Sequence, residues 1–267
     1  MNREHKEKAV SLLIQEGLSQ NSSLKLLEYP KSTFYYKSKP PDTDTIDEIR
    51  RLAFRRKRDG YRRIYKKIRR SGKIVNHKKI YRLYRLEGLK IRTKSNKRKK
   101  TIPSKPLELP TKSNQVWSMD FVFERTLDQR KQRILTGIDH FSREYSILHV
   151  EYSFSSLKLI QFLDSLENLP RSFVLDNGTE FTSTAFREWA ENKGIDIHFI
   201  DKGKLTQNAF IESFNGKLRD ECLNLNLFKN QNELSKALEI YQKDYNEERL
   251  HSSLNYLTPL EYKLKFG

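Results

Sequence analysis

Charge is spread so unevenly along this 267-residue chain that its two parts must meet different partners. Up to Pro110 there are 32 lysines and arginines against 11 aspartates and glutamates, and beyond it 20 against 23, so the whole excess of +18 lies in the first part. A surface of that kind suits a polyanion, most simply nucleic acid, although composition alone leaves an anionic membrane surface open. With 36% hydrophobic residues the chain has material for a real core, though not in every segment. No apolar run approaches the roughly 18 residues of a membrane-spanning helix, and Met1 to Gly17 lacks the features of a secretory signal. The expected location is therefore the cytoplasm, with no membrane partner. Cys222 is the only cysteine, so neither an internal disulfide nor a zinc site of paired Cys and His is available. A metal, if bound, must be held by oxygen.

Four segments follow. Residues 1–40 show apolar positions at helical spacing around Val10, Leu13 and Ile14, with a shorter patch at Leu24 to Leu27, and form a small helical segment that could be helix-turn-helix. Residues 42–91 read as three helices: one through Ile46, Ile49 and Ala53, one after Gly60 through Ile64 and Ile68, and one opened by Asn76 through Ile80, Leu83 and Tyr84. Short helices covered by cations suggest a helix-turn-helix-like basic domain that presents a helix to the major groove. Arg62, Arg63, Lys66, Lys67, Arg69 and Arg70 surround more than one face of their helix, so only part of them can meet DNA at once. His77 and Lys78, at the start of the last helix, are better placed, followed by Lys79 and Arg82. Residues 92–110 are a linker: Lys97, Arg98, Lys99 and Lys100 precede Pro103, Pro106 and Pro110, a stretch expected to be extended and solvated without DNA.

Residues 111–267 change character. Strands are expected at 116–123, 133–139 and 145–150, then a helix carrying Leu157, Ile160, Leu163 and Leu166, a strand at 172–176, a helix at 182–192, a strand at 195–200 and a helix at 207–222. The order βββαβαβα means an α/β fold with a mixed sheet covered by helices. A last helix over 232–247 buries Leu234, Leu238, Tyr241 and Tyr245 on one stripe.

Three acids stand out in this region. Asp120 lies inside an apolar strand between Met119 and Phe121, where a charge is costly unless paired or bound to metal. Asp176 ends a buried strand before Asn177-Gly178, and alone reads as the first residue of a turn. Glu212 sits among Phe210, Ile211 and Phe214 in the first turns of its helix, where the helix N-terminus alone accounts for an acid. Together they could converge. At an effective dielectric near 20, two like charges about 4 Å apart repel by about 4 kcal/mol, a cost that divalent cations remove. Oxygen ligands alone favour Mg²⁺ or Mn²⁺, and two such ions would serve phosphoryl transfer on DNA. Asp139 also ends a strand, but His140 to Arg143 suggest a turn salt-bridged by Arg143. Arg219 lies two helical turns beyond Glu212 on the same face and can reach a phosphate, with Asn215 and Gly216 between, and Asn215 and Lys217 are further expected DNA contacts. His198 and Cys222 read as packing residues.

Trp117 to Asp120, Leu175 to Phe181, and Gln207 to Arg219, with 35 residues between Asp176 and Glu212, resemble the three blocks of the DDE transposases and retroviral-type integrases. The resemblance implies a ribonuclease-H-like integrase core. A closer similarity is to bacterial transposases of the insertion-sequence-three family, specifically their second-frame product. Asp59 to Ile64 and Val75 to Tyr84 resemble that family's helix-turn-helix-like segment, and Tyr245 to Leu254 with Thr258-Pro259 its C-terminal block. The family implies that Asp120, Asp176 and Glu212 hold two Mg²⁺ ions, with Mn²⁺ able to substitute, and that DNA strands are cut and joined without a covalent enzyme intermediate. It also implies that Arg219 holds donor-end DNA, that element ends and target DNA are the partners of a homo-oligomer, and that an upstream-frame product can be fused to this one. Two rivals remain at this point: a DNA-binding regulator without catalysis, and a metal-dependent nuclease without strand transfer.

Overall fold

A computed structural model describes residues 3–36, 42–91, 110–200 and 209–267. The linker cations Lys97, Arg98, Lys99 and Lys100 lie outside the described residues. The chain divides into two compact units, Met1–Asp47 and Glu48–Gly267.

In the first unit, α1 (Arg3–Gln15), α2 (Gln20–Leu26) and α3 (Lys31–Phe34) enclose a small core of Val10, Leu24 and Tyr29, with Leu27 and Phe34 packed against it. Ser19 caps α2 by accepting from the Ser22 N–H, the bond that Ser at this position is selected for. The next helix, α4 (Thr43–Arg55), spans the boundary between the units.

The second unit takes up the rest of α4, then α5 (Tyr61–Arg70) and α6 (His77–Leu86). Their apolar positions recur every three or four residues, and Ile49, Ile64, Ile68 and Ile80 are wholly buried. Asn76 caps α6 by accepting from the Lys78 N–H at 2.8 Å. The basic helices therefore belong to the same compact unit as residues 111–267. Arg56 pairs with Asp244, and Arg70 holds both oxygens of Glu261 at 3.0 Å and the Tyr256 carbonyl at 2.7 Å.

Five strands form one mixed sheet in the order β3-β2-β1-β4-β5, built from β1 (Val116–Arg125), β2 (Lys131–Asp139), β3 (Tyr145–Glu151), β4 (Ser172–Leu175) and β5 (Asp196–Phe199). The first three are an antiparallel meander, while β4 and β5 run parallel to β1. Between them stand α7 (Ser156–Asp164), α8 (Thr179–Thr182) and α9 (Thr184–Asn192), and after them α10 (Ala209–Glu221), α11 (Gln231–Glu247) and α12 (Pro259–Phe266). The helix expected over 182–192 is α9, which starts at Thr184 because Ser183 is extended and caps it through the Phe186 N–H, and the short α8 before it is an addition. Helix α12 was not anticipated, although Thr258 and Glu261 form a capping box around Pro259.

Alternation along the strands sends side chains to two cores. Val122, Ile134, Ile138 and Tyr145 pack with Ile211, Phe214 and Leu218 of α10 and with Leu234, Leu238 and Tyr245 of α11. Trp117, Met119, Leu135 and Phe173 pack with Leu159, Phe181, Phe186 and Trp189 on the other face. Each fully buried Leu, Ile or Phe contributes roughly 1.5–3 kcal/mol. At Gly137 the backbones come so close that a Cβ would lie 2.8 Å from that of Ile147, so only glycine fits beside the register shift of β2 on β3.

Candidate active site

Asp120 occupies the middle of β1, opposite Thr136, whose hydroxyl donates to the Asp120 carbonyl at 3.0 Å. Being even-numbered like Val122, it faces the α10 side of the sheet. Its Oδ1 accepts from the Phe121 N–H and its Oδ2 from the Asn215 amide, both at 2.7 Å. Asp176 follows β4 directly and is exposed, with Oδ1 accepting from the Gly178 N–H at 3.0 Å. Because β4 lies next to β1 in parallel, the ends of both strands open on the same side of the sheet. Glu212 stands in the first turn of α10, exposed between buried Ile211 and Phe214 rather than set among apolar groups.

Electrostatics tie the three together. The Asp120 carboxyl is raised above the usual range first by burial, and then by the negative charges of Asp176 and Glu212, against the pull of the Phe121 N–H and the Asn215 amide. Among the described residues no three His, Cys, Asp or Glu side chains are gathered into a group that could hold a metal as they stand. The donor set nevertheless fits a hard divalent cation: every group is a carboxylate, and their mutual repulsion is what such an ion relieves.

The helix that carries Glu212 is fixed along its length. At its start, Phe210 lies between the His140 ring at 4.8 Å and the Arg143 guanidinium at 3.8 Å. In the middle, the Tyr145 hydroxyl donates to the Phe214 carbonyl at 2.9 Å. At its end, Glu221 takes two bonds from Arg249, at 2.6 and 2.8 Å, and Arg249 is only 2% exposed. Of the anchoring residues His140, Arg143, Tyr145 and Arg249, only Arg249 falls in a motif, and the sequence gives no sign of its partner.

Several expected roles are revised. Asp139 is not salt-bridged to Arg143 in its turn. It accepts instead from the Phe141 and Ser142 N–H groups, the Ser142 hydroxyl, the Asn114 N–H and the Trp117 indole, while Arg143 turns to Phe210. With five donors on a buried carboxylate, Asp139 is a structural acid. His198 is exposed on the edge strand β5 and is not a packing residue. Cys222 is buried as expected, and burial followed by Glu124 pushes its thiol up to about 11.

The expected DNA contacts also separate. Asn215 is 8% exposed and is committed to Asp120, a role signalled only by its position three residues after Glu212 on the same helix face. Lys217 is half-buried, 4.9 Å from the Phe214 ring, and is pushed down to about 8 by burial and then by Arg249. Arg63 pairs with Asp59 at 3.1 Å and lies 3.9 Å from Glu221. Arg219 is exposed, 3.4 Å from the Phe123 carbonyl, in an open groove with Arg125 and Lys131. Arg62, His77, Lys78 and Arg82 are exposed, while Lys79 is half-buried.

Comparison with known proteins identifies the family and the fold. Family models described as integrase core domain match residues 110–204 and 193–259, and one described as HTH-like domain matches residues 41–99. An insertion element IS407 protein of Burkholderia multivorans is 38% identical over 93% of this chain and 92% of its own length. An insertion element IS476 protein of Xanthomonas euvesicatoria is 34% identical over 98% of this chain and 78% of its own. A chain from the intasome of simian T-cell lymphotropic virus, solved in complex with PP2A regulatory subunit B56 gamma, superimposes with a TM-score of 0.52 at 15% identity, covering 80% of this chain and 74% of that one. That likeness concerns the fold, which is ribonuclease-H-like as the motifs implied. The chain belongs to the insertion-sequence transposase family, with the integrase core of a polynucleotidyl transferase. No helix of the described residues is long and apolar enough to cross a membrane.

Proposed function

We propose that this protein binds the ends of a mobile DNA element through its basic helices at 42–91, cleaves a phosphodiester there and transfers the freed 3′-hydroxyl to another strand, with residues 111–267 as the catalytic part. The observation that carries the reading is the half-buried Asp120 carboxyl on β1, raised first by burial and then by Asp176 and Glu212 from two other parts of the chain. Asp120, Asp176 and Glu212 would hold the cations, two Mg²⁺ or Mn²⁺, whose chemistry is to polarise a phosphodiester oxygen and acidify water or a hydroxyl. The Phe121 N–H and the Asn215 amide keep both oxygens of Asp120 in place. Phe210, gripped by His140 and Arg143, and Arg249 on Glu221 keep α10 and hence Glu212 from drifting.

The bond changes need no energy source. An oxygen of water attacks phosphorus and the bond to the 3′ oxygen breaks, leaving a 3′-hydroxyl. That hydroxyl then attacks a phosphorus of a second strand, so one ester forms as another is lost. Arg219 and exposed Arg62, His77, Lys78 and Arg82 supply phosphate contacts on two surfaces. Synapsis of two ends calls for a homo-oligomer, and an upstream-frame product or fusion is the further partner.

The test is a strand-transfer assay on a labelled duplex from the DNA flanking this gene, with Mg²⁺ or Mn²⁺. Joined product from the parent and none from Asp176→Asn, which still binds the duplex, is the expected result. Equal cutting by Asp176→Asn overturns the site. If the parent binds without joining, the upstream-fused chain is assayed, and its failure as well leaves binding without transposition.

A further inference from the structure

The turn that presents Asp176 is attached to the sheet by two side chains that the reaction above does not use. Arg133 on β2 donates through Nη1 to Glu180 Oε1 on α8 at 2.5 Å, and the two side chains are 19% and 14% exposed. The Arg133 guanidinium also covers the Phe121 ring at 3.8 Å and reaches Phe123 at 5.5 Å. Phe121 in turn stacks on Phe181 at 5.3 Å and 21°. One cation thus touches the residue after Asp120 and pairs with the residue four beyond Asp176.

The register explains how this works from behind. Arg133 is opposite Phe123 and shares a sheet face with Phe121, while Asp120 points to the other face. At the turn, a Cβ on Gly178 would lie 3.0 Å from Asp176 Oδ1 and 3.5 Å from Glu180 Oε2, so both carboxylates border the same small space. Glu180 without its cation would add negative charge beside Asp176. With it, the charge is answered and the turn is tied to β2 by a charge-assisted bond that is mostly withdrawn from water.

We propose that Arg133 and Glu180 act as a pair of positioning residues, holding the Asp176 turn against β1 and so setting Asp176 relative to Asp120 for cation binding. This rests on the proposed reading of the three carboxylates as a cation site. Outer groups that orient metal-binding side chains typically alter affinity by about 10- to 100-fold when removed.

The experiment titrates Mn²⁺ against the full chain and reads the concentration that gives half of the rise in melting temperature, with strand transfer measured alongside. Arg133→Met and Glu180→Ala are each expected to need about tenfold more Mn²⁺. The double variant should need no more than the worse single one, because the two act as a unit. Arg133→Lys, which keeps the charge, should recover most of the response, and Glu180→Ala alone carries the test if Arg133→Met does not fold. Asp176→Asn is the control for the cation site itself. If it loses the response while Glu180→Ala, and Arg133→Met where that variant folds, titrate like the parent, the positioning pair is overturned. Additive losses in the double variant also overturn it as a unit. If Asp176→Asn titrates like the parent, it is the underlying cation reading that fails.

Discussion

Asp59, before α5, is buried and Asp120, in β1, half-buried, yet their carboxyls move in opposite directions. Burial alone raises each. At Asp59 it is overcome by Lys67 at 2.9 Å, by Arg63 at 3.1 Å and by Arg56, so the carboxyl falls below its ordinary value. At Asp120 no cation of the described residues is among the main influences; two more acids add to the effect of burial, and hydrogen bonds from Phe121 and Asn215 do not compensate. An acid whose charge is matched inside the protein holds the fold together, whereas on the proposed reading one left among acids takes its matching charge from outside.

The largest effect expected from this contrast is on chemistry. Glu212→Gln should lower strand transfer on the order of a thousandfold, about 4 kcal/mol of transition-state stabilisation, while its melting temperature stays near the parent's because Glu212 is exposed. A variant that transfers strands normally would remove Glu212 from the site.

Stability should show the reverse order. Asp59→Asn strands Lys67 and Arg63 and is expected to cost about 3 kcal/mol in urea unfolding. Asp120→Asn removes a charge that the fold disfavours, so without divalent cations it should be at least as stable as the parent. Equal destabilisation by the two substitutions would break the comparison.

His140 extends the argument to a base. Burial, then Arg143, lowers it to about 4, so the folded chain keeps the neutral ring that its contact with Ser118 at 2.6 Å accommodates. Since the unfolded chain takes up the proton first, stability should fall as pH drops from about 6.5 to about 4, by roughly 3 kcal/mol. His140→Gln should flatten that limb of the pH–stability curve, and an unchanged limb would assign it elsewhere.

The smallest effect concerns exposed cations. Lys78→Ala should weaken DNA binding about equally across sequences and reduce the slope of log affinity against log salt by about 1. Arg63→Ala, whose partner is Asp59, should lose stability with little change in that slope. The opposite pattern would place the DNA surface on α5 rather than on α6.

Much of this was legible because it is written locally. The five strands and most helices follow from periodicity, and Asp120 stood out because a charged residue interrupts an apolar strand. The α12 signal lies in Thr258, Pro259 and Glu261, of which the family motif takes in only Thr258-Pro259. Asp139 and Asp120 look alike in sequence, each at or in a strand among apolar residues. Only the surrounding donors tell them apart, and one of these, the Asn114 N–H, comes from 25 residues away.

Sequence by itself determined where charge resides, where the strands and most helices lie, and which acids are out of place, since all of these depend on neighbours a few residues apart. The tertiary structure decided which charges are satisfied. Arg56 meets Asp244, Arg249 meets Glu221 and Arg133 meets Glu180 across separations of 188, 28 and 47 residues. Electrostatic energy depends on distance and burial in space, and neither is fixed until β4 pairs with β1 and α10 is laid across the sheet.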